Sequence, residues 1–282
     1  MKKQKKLSTL LGEIGLSVAT IVMMLPIYYF VIGAFKKRTD IIKFPLVLNA
    51  EIFTFDNFPY VIKKMKYWEA MGNTAFITLM ALILVIAFAS LAGFAIARCR
   101  HGVFSGYYKI IVTLMVIPFI GCLLPLTTIS TRLGLYNSIW GCIVIQAAWN
   151  MPFAVFLYTG FMQGIPKELE EAGELDGLSP IGIFVKIVFP LSMPIIATMI
   201  LFNAVGYWNN WYNAFLYLDK KEMWPVAYYL RTIITGASTS ADPGEVSAEK
   251  LQIAANIKSC SMVMMALPII CVYPFVQKYY VQ

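Results

Sequence analysis

Six long runs of apolar residues, separated by polar segments, make up most of the chain. A membrane-spanning helix needs roughly 20 apolar residues to cross about 30 Å of hydrocarbon, and each run approaches or exceeds that length. The pattern predicts one all-α membrane domain over residues 1–282, with spans at 10–35, 72–97, 107–126, 138–162, 187–207 and 259–276. Residues 1–9 form a basic leader, and an even number of spans puts both termini on one side of the membrane.

Composition supports a bilayer as the solvent. Apolar residues make up 59% of the 282 residues, charged residues make up 13%, and the mean hydropathy is +0.70. Soluble domains are typically about 45–50% apolar and about 25% charged. We therefore expect an integral membrane protein that crosses the bilayer several times.

The cysteines and the net charge suggest no further chemistry. The five cysteines lie in or beside the apolar runs without metal-ligand spacing, so we interpret them as small buried hydrophobic residues. We expect no metal site, and we expect His101, the only histidine, at the surface. The net charge of +8 comes from basic residues scattered over loops and ends, which favours a membrane interface over nucleic-acid binding.

Basic residues close to the spans indicate the orientation. The leader and the short hairpin at 98–109 are strongly basic, and short loops of this kind face the cytosol. The other loops together hold more Lys and Arg, but they also carry most of the acidic residues. We therefore predict cytosolic termini in a prokaryotic inner membrane, with the polar segment at 163–186 in the cytosol.

That segment belongs to a polar, acidic insert between two spans, PKELEEAGELDGLSPIGIFVKIVFP (166–190). Pro166 can begin a helix, and the acidic residues that follow suit the positive end of the helix dipole. Gly177 allows a turn, and a second helix is predicted after Pro180. The insert is thus expected to form a short helix–turn–helix along the membrane surface, although a solvated connecting loop is the simpler alternative.

The spacing of this insert resembles the cytoplasmic loop of ABC-importer permeases. That loop has the pattern E-A-A, three residues, G, nine residues, then I-x-L-P. Here Glu171-Ala172-Gly173 is followed by Gly177 and, nine residues later, by Ile187-Val188-Phe189-Pro190. Gly173 and Phe189 depart from the pattern, and glycine should loosen the helix by up to ~1 kcal/mol relative to alanine. With the segments FTFDNF (53–58) and YPFVQKYYV (273–281), the whole chain resembles the maltose-type carbohydrate permeases.

This resemblance implies a subunit that transports and is not itself an enzyme. In the family the loop is a coupling helix that docks on a separate ATPase, and that ATPase binds ATP and Mg²⁺. The implied coupling residues are Glu170, Glu171, Ala172, Gly173, Asp176, Gly177 and Pro190, with Glu171 as the ionic contact, Ala172 for close packing and Gly177 for the turn. The implied partners are a second homologous permease, two ATPase subunits, an extracellular solute-binding protein and an oligosaccharide substrate. No phosphate-binding loop occurs in the sequence.

An aromatic and amide cluster, YWNNWYNAFLYL (207–218), ends the fifth span. Sugar rings stack on aromatic faces, and sugar hydroxyls bond to amides. The candidate pathway residues are Asn203, Tyr207, Trp208, Asn209, Trp211 and Asn213. An aromatic belt at the membrane interface is the alternative for the ring residues, and a hydrogen bond between helices is the alternative for Asn203.

Two other functions compete with the importer. A secondary transporter driven by an ion gradient would need charged coupling residues deep in the spans, and the sequence has almost none there. A membrane scaffold without transport activity is the second alternative.

Overall fold

The computed structural model describes residues 2–37, 40–41, 43–47, 49, 51–99, 102–239 and 248–277; His101 lies outside them. Within these ranges the regular elements are helical, apart from one isolated antiparallel bridge between Lys36 and Phe53. The helices are α1 (Lys2–Ala34), α2 (Asn57–Lys64), α3 (Tyr67–Arg98), α4 (Val103–Leu114), α5 (Phe119–Arg132), α6 (Ile139–Gln163), α7 (Glu168–Leu175), α8 (Pro180–Ile183), α9 (Phe189–Leu191), α10 (Met193–Trp208), α11 (Tyr212–Tyr217), α12 (Val226–Thr239) and α13 (Ala248–Gln277). A π-helical turn, Phe184–Val188, joins α8 to α9, and Lys221–Met223 forms a 3₁₀ turn. The predicted all-α class is confirmed.

Three helices in the described ranges are long and apolar enough to cross a membrane: the Gly12–Ala34 part of α1, α3 and α6. A fourth candidate is the pair Pro180–Leu191 and Met193–Trp208, which is bent by 72°. These helices agree with the predicted spans at 10–35, 72–97 and 138–162, and in part with 187–207. The last predicted span lies in α13, where the described apolar stretch Ala255–Cys271 is shorter than the roughly 20 residues that a span needs. The count of six spans stays a prediction.

The third predicted span is not one continuous helix, and this prediction is corrected. α4 ends at Leu114 and α5 begins at Phe119, with a break between them. Pro118 lies just before α5 in an extended conformation (φ −70°, ψ 135°), and a residue that precedes proline is sterically disfavoured in a helix. Because α5 continues to Arg132, the loop predicted at 127–137 is also shorter than expected.

The chain divides into two compact units, Met1–Tyr67 with Tyr229–Cys271, and Trp68–Tyr228 with Val272–Gln282. In the first unit, the Asn57 amide of the FTFDNF segment donates to the carbonyls of Ala34 and Lys36, both at 2.8 Å. The Lys36 ammonium donates to the Phe44 carbonyl and, at 2.8 Å, to the Pro45 carbonyl. Burial lowers the pKa of Lys36. The two buried hydrogen bonds of Asn57 thus hold the FTFDNF segment against the end of α1.

In the second unit, α6 contacts α4, α10 and α11. α3 and α6 approach closely at Gly93, where a Cβ would lie 2.8 Å from the Tyr158 Cβ and 3.1 Å from the Thr159 nitrogen. Glycine is therefore the residue that lets these two backbones meet. The apolar core of this unit also includes Val85, Ala89 and Val188.

Candidate functional site

The acidic insert folds as predicted, into a short helix followed by a turn and a second helix. α7 begins at Glu168 and carries three acidic residues in its first turn, Glu168, Glu170 and Glu171. Negative side chains in that turn interact favourably with the positive end of the helix dipole. The acidic half of the insert is therefore a well-formed helix and not an irregular loop.

Gly177 ends α7 as predicted. Its φ is +80°, in the left-handed region that glycine adopts without steric cost. The Leu178 N–H donates to the Gly173 carbonyl at 3.0 Å, and the Gly177 N–H donates to the Glu174 carbonyl at 3.0 Å. These two bonds form a Schellman motif, which fixes the direction of the chain after α7.

The second helix begins at Pro180 and turns sharply before the membrane span. The Ser179 hydroxyl accepts from the Gly182 N–H at 3.2 Å, and proline at the first helical position needs no partner. The π-helical turn precedes Pro190, which has no N–H to donate to the preceding turn. At the 72° bend, the buried Ser192 hydroxyl donates to the Val188 carbonyl at 2.7 Å. The continuous helix α10 therefore starts at Met193, after the predicted start of the fifth span at 187.

One side of the insert is open to the surroundings. Glu171 and Ala172 are exposed, and so are Asp176, Gly177 and Pro190. Two apolar side chains near the turn are also exposed, Leu175 at 90% and Ile181 at 72%. Exposed apolar surface with a polar rim is a feature of sites that bind another protein.

Glu170 differs from its neighbour Glu171, because its carboxylate is engaged within the chain. The Arg98 Nε, at the end of α3, donates to the Glu170 Oε1 at 2.6 Å. The same guanidinium donates to the Ile165 carbonyl at 3.4 Å. The Arg98 and Glu170 side chains are only 14% and 11% exposed. Of the two adjacent carboxylates, only Glu171 is presented outward.

Gly173 lies on the inner side of α7, away from the open surface. A Cβ there would lie 2.7 Å from the Ile187 Cδ1, which belongs to the π-helical turn. A Cβ at this position would therefore require the Ile187 side chain to shift. The glycine at this position therefore affects the packing between the two helices of the insert.

We expect Gly173→Ala alone to be neutral or slightly destabilising, because the gain in helix propensity of up to ~1 kcal/mol is offset by the contact with Ile187. Adding Ile187→Val removes the Cδ1 methyl group. The double variant should then unfold at a higher temperature in detergent than Gly173→Ala. An equal or lower unfolding temperature would show that the close contact is not what glycine relieves.

The aromatic and amide cluster lines an open polar cavity of about 370 Å³. α6 contributes one wall, and the end of α10 with the start of α11 contributes the other. The described lining residues are uncharged: Gln146, Trp149, Asn150, Gly206, Asn209, Asn210, Trp211, Tyr212 and Asn213. Such a surface offers aromatic faces together with amide donors and acceptors.

Gln146 links the two walls. It is buried, and its Oε1 accepts from the Asn213 Nδ2 at 3.4 Å. Its main-chain carbonyl accepts from the Asn150 Nδ2 at 3.0 Å. The Gln146 Nε2 has no hydrogen-bond partner among the described residues. A buried amide donor left in this state is costly unless a bound molecule or water completes it.

The predicted pathway residues separate into two groups. Asn209, Trp211 and Asn213 line the cavity, whereas Asn203, Tyr207 and Trp208 are not among its described lining residues. The Asn203 amide donates to the Met199 carbonyl of its own helix at 2.9 Å, and its role in the pathway stays a prediction. Tyr207 is buried in the apolar core.

The wall that α6 provides was not predicted from the sequence. Gln146, Trp149 and Asn150 are spaced i, i+3 and i+4, which places them on one face of a helix. Polar side chains inside a membrane span are costly and usually functional. This spacing within a predicted span was therefore a usable signal. In the described ranges no group of three or more His, Cys, Asp or Glu residues could hold a metal ion.

Comparisons with known proteins agree with this architecture. Protein LplC of Bacillus subtilis (strain 168) is 31% identical, over 92% of this chain and 86% of the relative. The arabinooligosaccharides transport system permease protein AraQ of Halalkalibacterium halodurans is 26% identical, over 99% of this chain and 96% of the relative. Among solved structures, a bacterial ABC transporter involved in the import of the acidic polysaccharide alginate has a similar fold, with a TM-score of 0.79 at 22% identity. The match covers 98% of this chain and 97% of that one.

A family model matches residues 89–279, which include α6, the acidic insert and both walls of the polar cavity. The family is described as the binding-protein-dependent transport system inner membrane component. The match covers more than half of the chain, so the chain belongs to this family of membrane-embedded transport subunits.

Proposed function

We propose that the chain is one of two permease subunits of an ATP-driven importer that moves carbohydrate into a prokaryotic cell. The observation that carries this proposal is the acidic helix α7, which presents Glu171 on an open surface within an otherwise apolar chain. Family membership supports transport, and the insert supports dependence on a soluble partner.

The partner on the cytosolic side is an ATPase. Glu171 forms the ionic contact with a basic residue of that subunit, and Ala172 allows close approach. Leu175 and Ile181 add apolar area around the charge, since both are exposed in the isolated subunit. ATP and Mg²⁺ bind to the ATPase and not to this chain. Two ATPase copies serve the two permeases, and both termini of this chain lie on their side of the membrane.

On the outer side, a solute-binding protein delivers the substrate. The polar segments at 36–71 and 219–258 are the regions of this chain available for that contact. The family description itself names dependence on a binding protein. ATP binding and hydrolysis then change the shape of the bundle, so that the substrate site opens alternately to the two sides.

The substrate is an oligosaccharide, and the polar cavity is part of its route. The AraQ relative and the alginate transporter are both named for saccharide transport. The cavity supplies the chemistry that a sugar needs, namely Trp149 and Trp211 for ring faces and Asn209, Asn213 and Gln146 for hydroxyls. Gln146 contributes by its position between the two walls, where its Oε1 accepts from the Asn213 Nδ2.

We expect Gln146→Ala, Asn209→Ala and Trp211→Ala each to reduce sugar uptake by about fivefold, the equivalent of one lost hydrogen bond or stacking contact. Asn203→Ala is the matched control, since Asn203 is an amide of α10 that is not among the described lining residues of the cavity. Uptake of labelled oligosaccharide by cells with equal amounts of assembled complex checks this. Unchanged uptake and selectivity in all three variants would indicate that the cluster is an aromatic belt at the membrane interface.

The described spans disfavour a secondary transporter driven by an ion gradient. α3 carries its charged residues, Glu69 and Arg98, near its ends, and α6 and α10 carry none. Ion coupling requires titratable or ion-binding groups within the membrane. Uptake that persists without any ATPase would favour this alternative.

A further inference from the structure

We propose that the ion pair between Arg98 and Glu170 transmits the movement of the acidic helix α7 to the membrane helix α3. This inference rests on the proposed function, in which an ATPase displaces α7. It assigns a positioning role to two residues that do not face the ATPase. Glu171 receives the displacement, and Glu170 passes it on.

The geometry joins three elements at one guanidinium. Arg98 is the last residue of α3, and its Nε donates to the carboxylate of Glu170 in the first turn of α7. Its second contact, at 3.4 Å, is with the carbonyl of Ile165, in the short segment that connects α6 to α7. The end of α3 is thus attached to the beginning of the acidic helix.

The charge of this pair is protected from solvent. Both side chains are less than 15% exposed, so water screens their attraction weakly. Arginine does not lose its proton, and its planar group holds a carboxylate in a defined orientation. A pair of this kind resists separation when one of its helices is pushed, whereas an exposed pair would exchange with water.

Glu170 and Glu171 face different directions because adjacent residues of an α-helix are about 100° apart. One carboxylate therefore points into the chain while the other stays exposed. Transmission needs both, since one residue must contact the moving partner and another must hold the helix to the bundle.

α3 is suited to receive the displacement. Five residues before Arg98, Gly93 brings α3 against the backbone of α6 at Thr159. A movement of the end of α3 therefore acts on a closely packed pair of helices and not on a free helix end. α6 in turn carries Gln146, Trp149 and Asn150 of the polar cavity.

The test is the number of sugar molecules transported for each ATP hydrolysed by the complete complex in proteoliposomes. We expect Glu170→Gln and Arg98→Gln to assemble with the ATPase and to hydrolyse ATP. In both variants the transport ratio should fall about tenfold, since one charged hydrogen bond is lost. Glu174→Gln, an exposed carboxylate of the same helix, should keep the wild-type ratio. A wild-type ratio in Glu170→Gln would overturn the proposal.

The double variant Arg98→Glu/Glu170→Arg separates transmission from folding. Recovery of assembly and of the transport ratio supports the proposal. Assembly without recovery of the ratio, or loss of assembly in this variant and in both single variants, contradicts it and assigns the pair to folding alone. If the wild-type chain itself never associates with an ATPase, the proposed function is wrong. That result is distinct from a failure of the ion-pair proposal, which appears only in the variants.

Discussion

Glu171→Lys is expected to abolish sugar uptake while the chain still inserts into the membrane. Glu171 is exposed on α7, so the fold should lose little stability. The lysine would meet the basic residue of the ATPase, and two like charges at a desolvated contact repel by several kcal/mol. Co-purification of the ATPase and ATP-dependent uptake measure the effect.

Glu174→Lys is the matched control for this prediction. It makes the same charge reversal on an exposed residue of the same helix, and a positive charge near the end of a helix is favourable. We expect it to retain most of the uptake. If Glu171→Lys transported sugar as well as Glu174→Lys, Glu171 would not be the ionic contact.

Gly93→Leu should destabilise the chain strongly. Even the Cβ of alanine would lie 2.8 Å from the Tyr158 Cβ and 3.1 Å from the Thr159 nitrogen. Neither atom is the end of a flexible side chain, so α3 and α6 must separate. Overpacking of this kind costs about 1–3 kcal/mol, and leucine, which is larger than alanine, should reach at least the upper end. Thermal unfolding of the purified chain in detergent measures the loss.

Gly72→Leu tests whether this effect comes from the contact or from the helix. Gly72 also lies in α3, and a Cβ added there would meet nothing within 4 Å. Leucine at that position should be neutral or stabilising by up to ~1 kcal/mol through helix propensity. Equal unfolding temperatures for the two variants would contradict the close approach of α3 and α6 at Gly93.

The features that could be predicted from the sequence are local ones. Runs of apolar residues located α3, α6 and the Gly12–Ala34 part of α1 within a few residues, because membrane helices must satisfy their own backbone hydrogen bonds. Gly177 was predicted as the turn because glycine can end a helix, and its φ of +80° confirms the turn. The break before α5 could also have been predicted, because Pro118 lies inside the predicted third span.

The features that were missed depend on residues far apart in the chain. Arg98 and Glu170 are 72 positions apart, and nothing in either segment indicates that they form a pair. For the same reason, the inward position of Gly173 became evident only with Ile187 beside it. The polar face of α6 could have been predicted from the spacing of its residues. Its position opposite Asn213 could not, because that position depends on the fold.

The most direct test of the account is purification of the tagged chain, in mild detergent, from the cells that produce it. We predict that a second permease and an ATPase with a phosphate-binding loop co-purify with it. That complex should drive ATP-dependent oligosaccharide uptake once it is reconstituted with its solute-binding protein. A chain that purifies alone and still transports sugar in proteoliposomes without ATP would contradict the central claim.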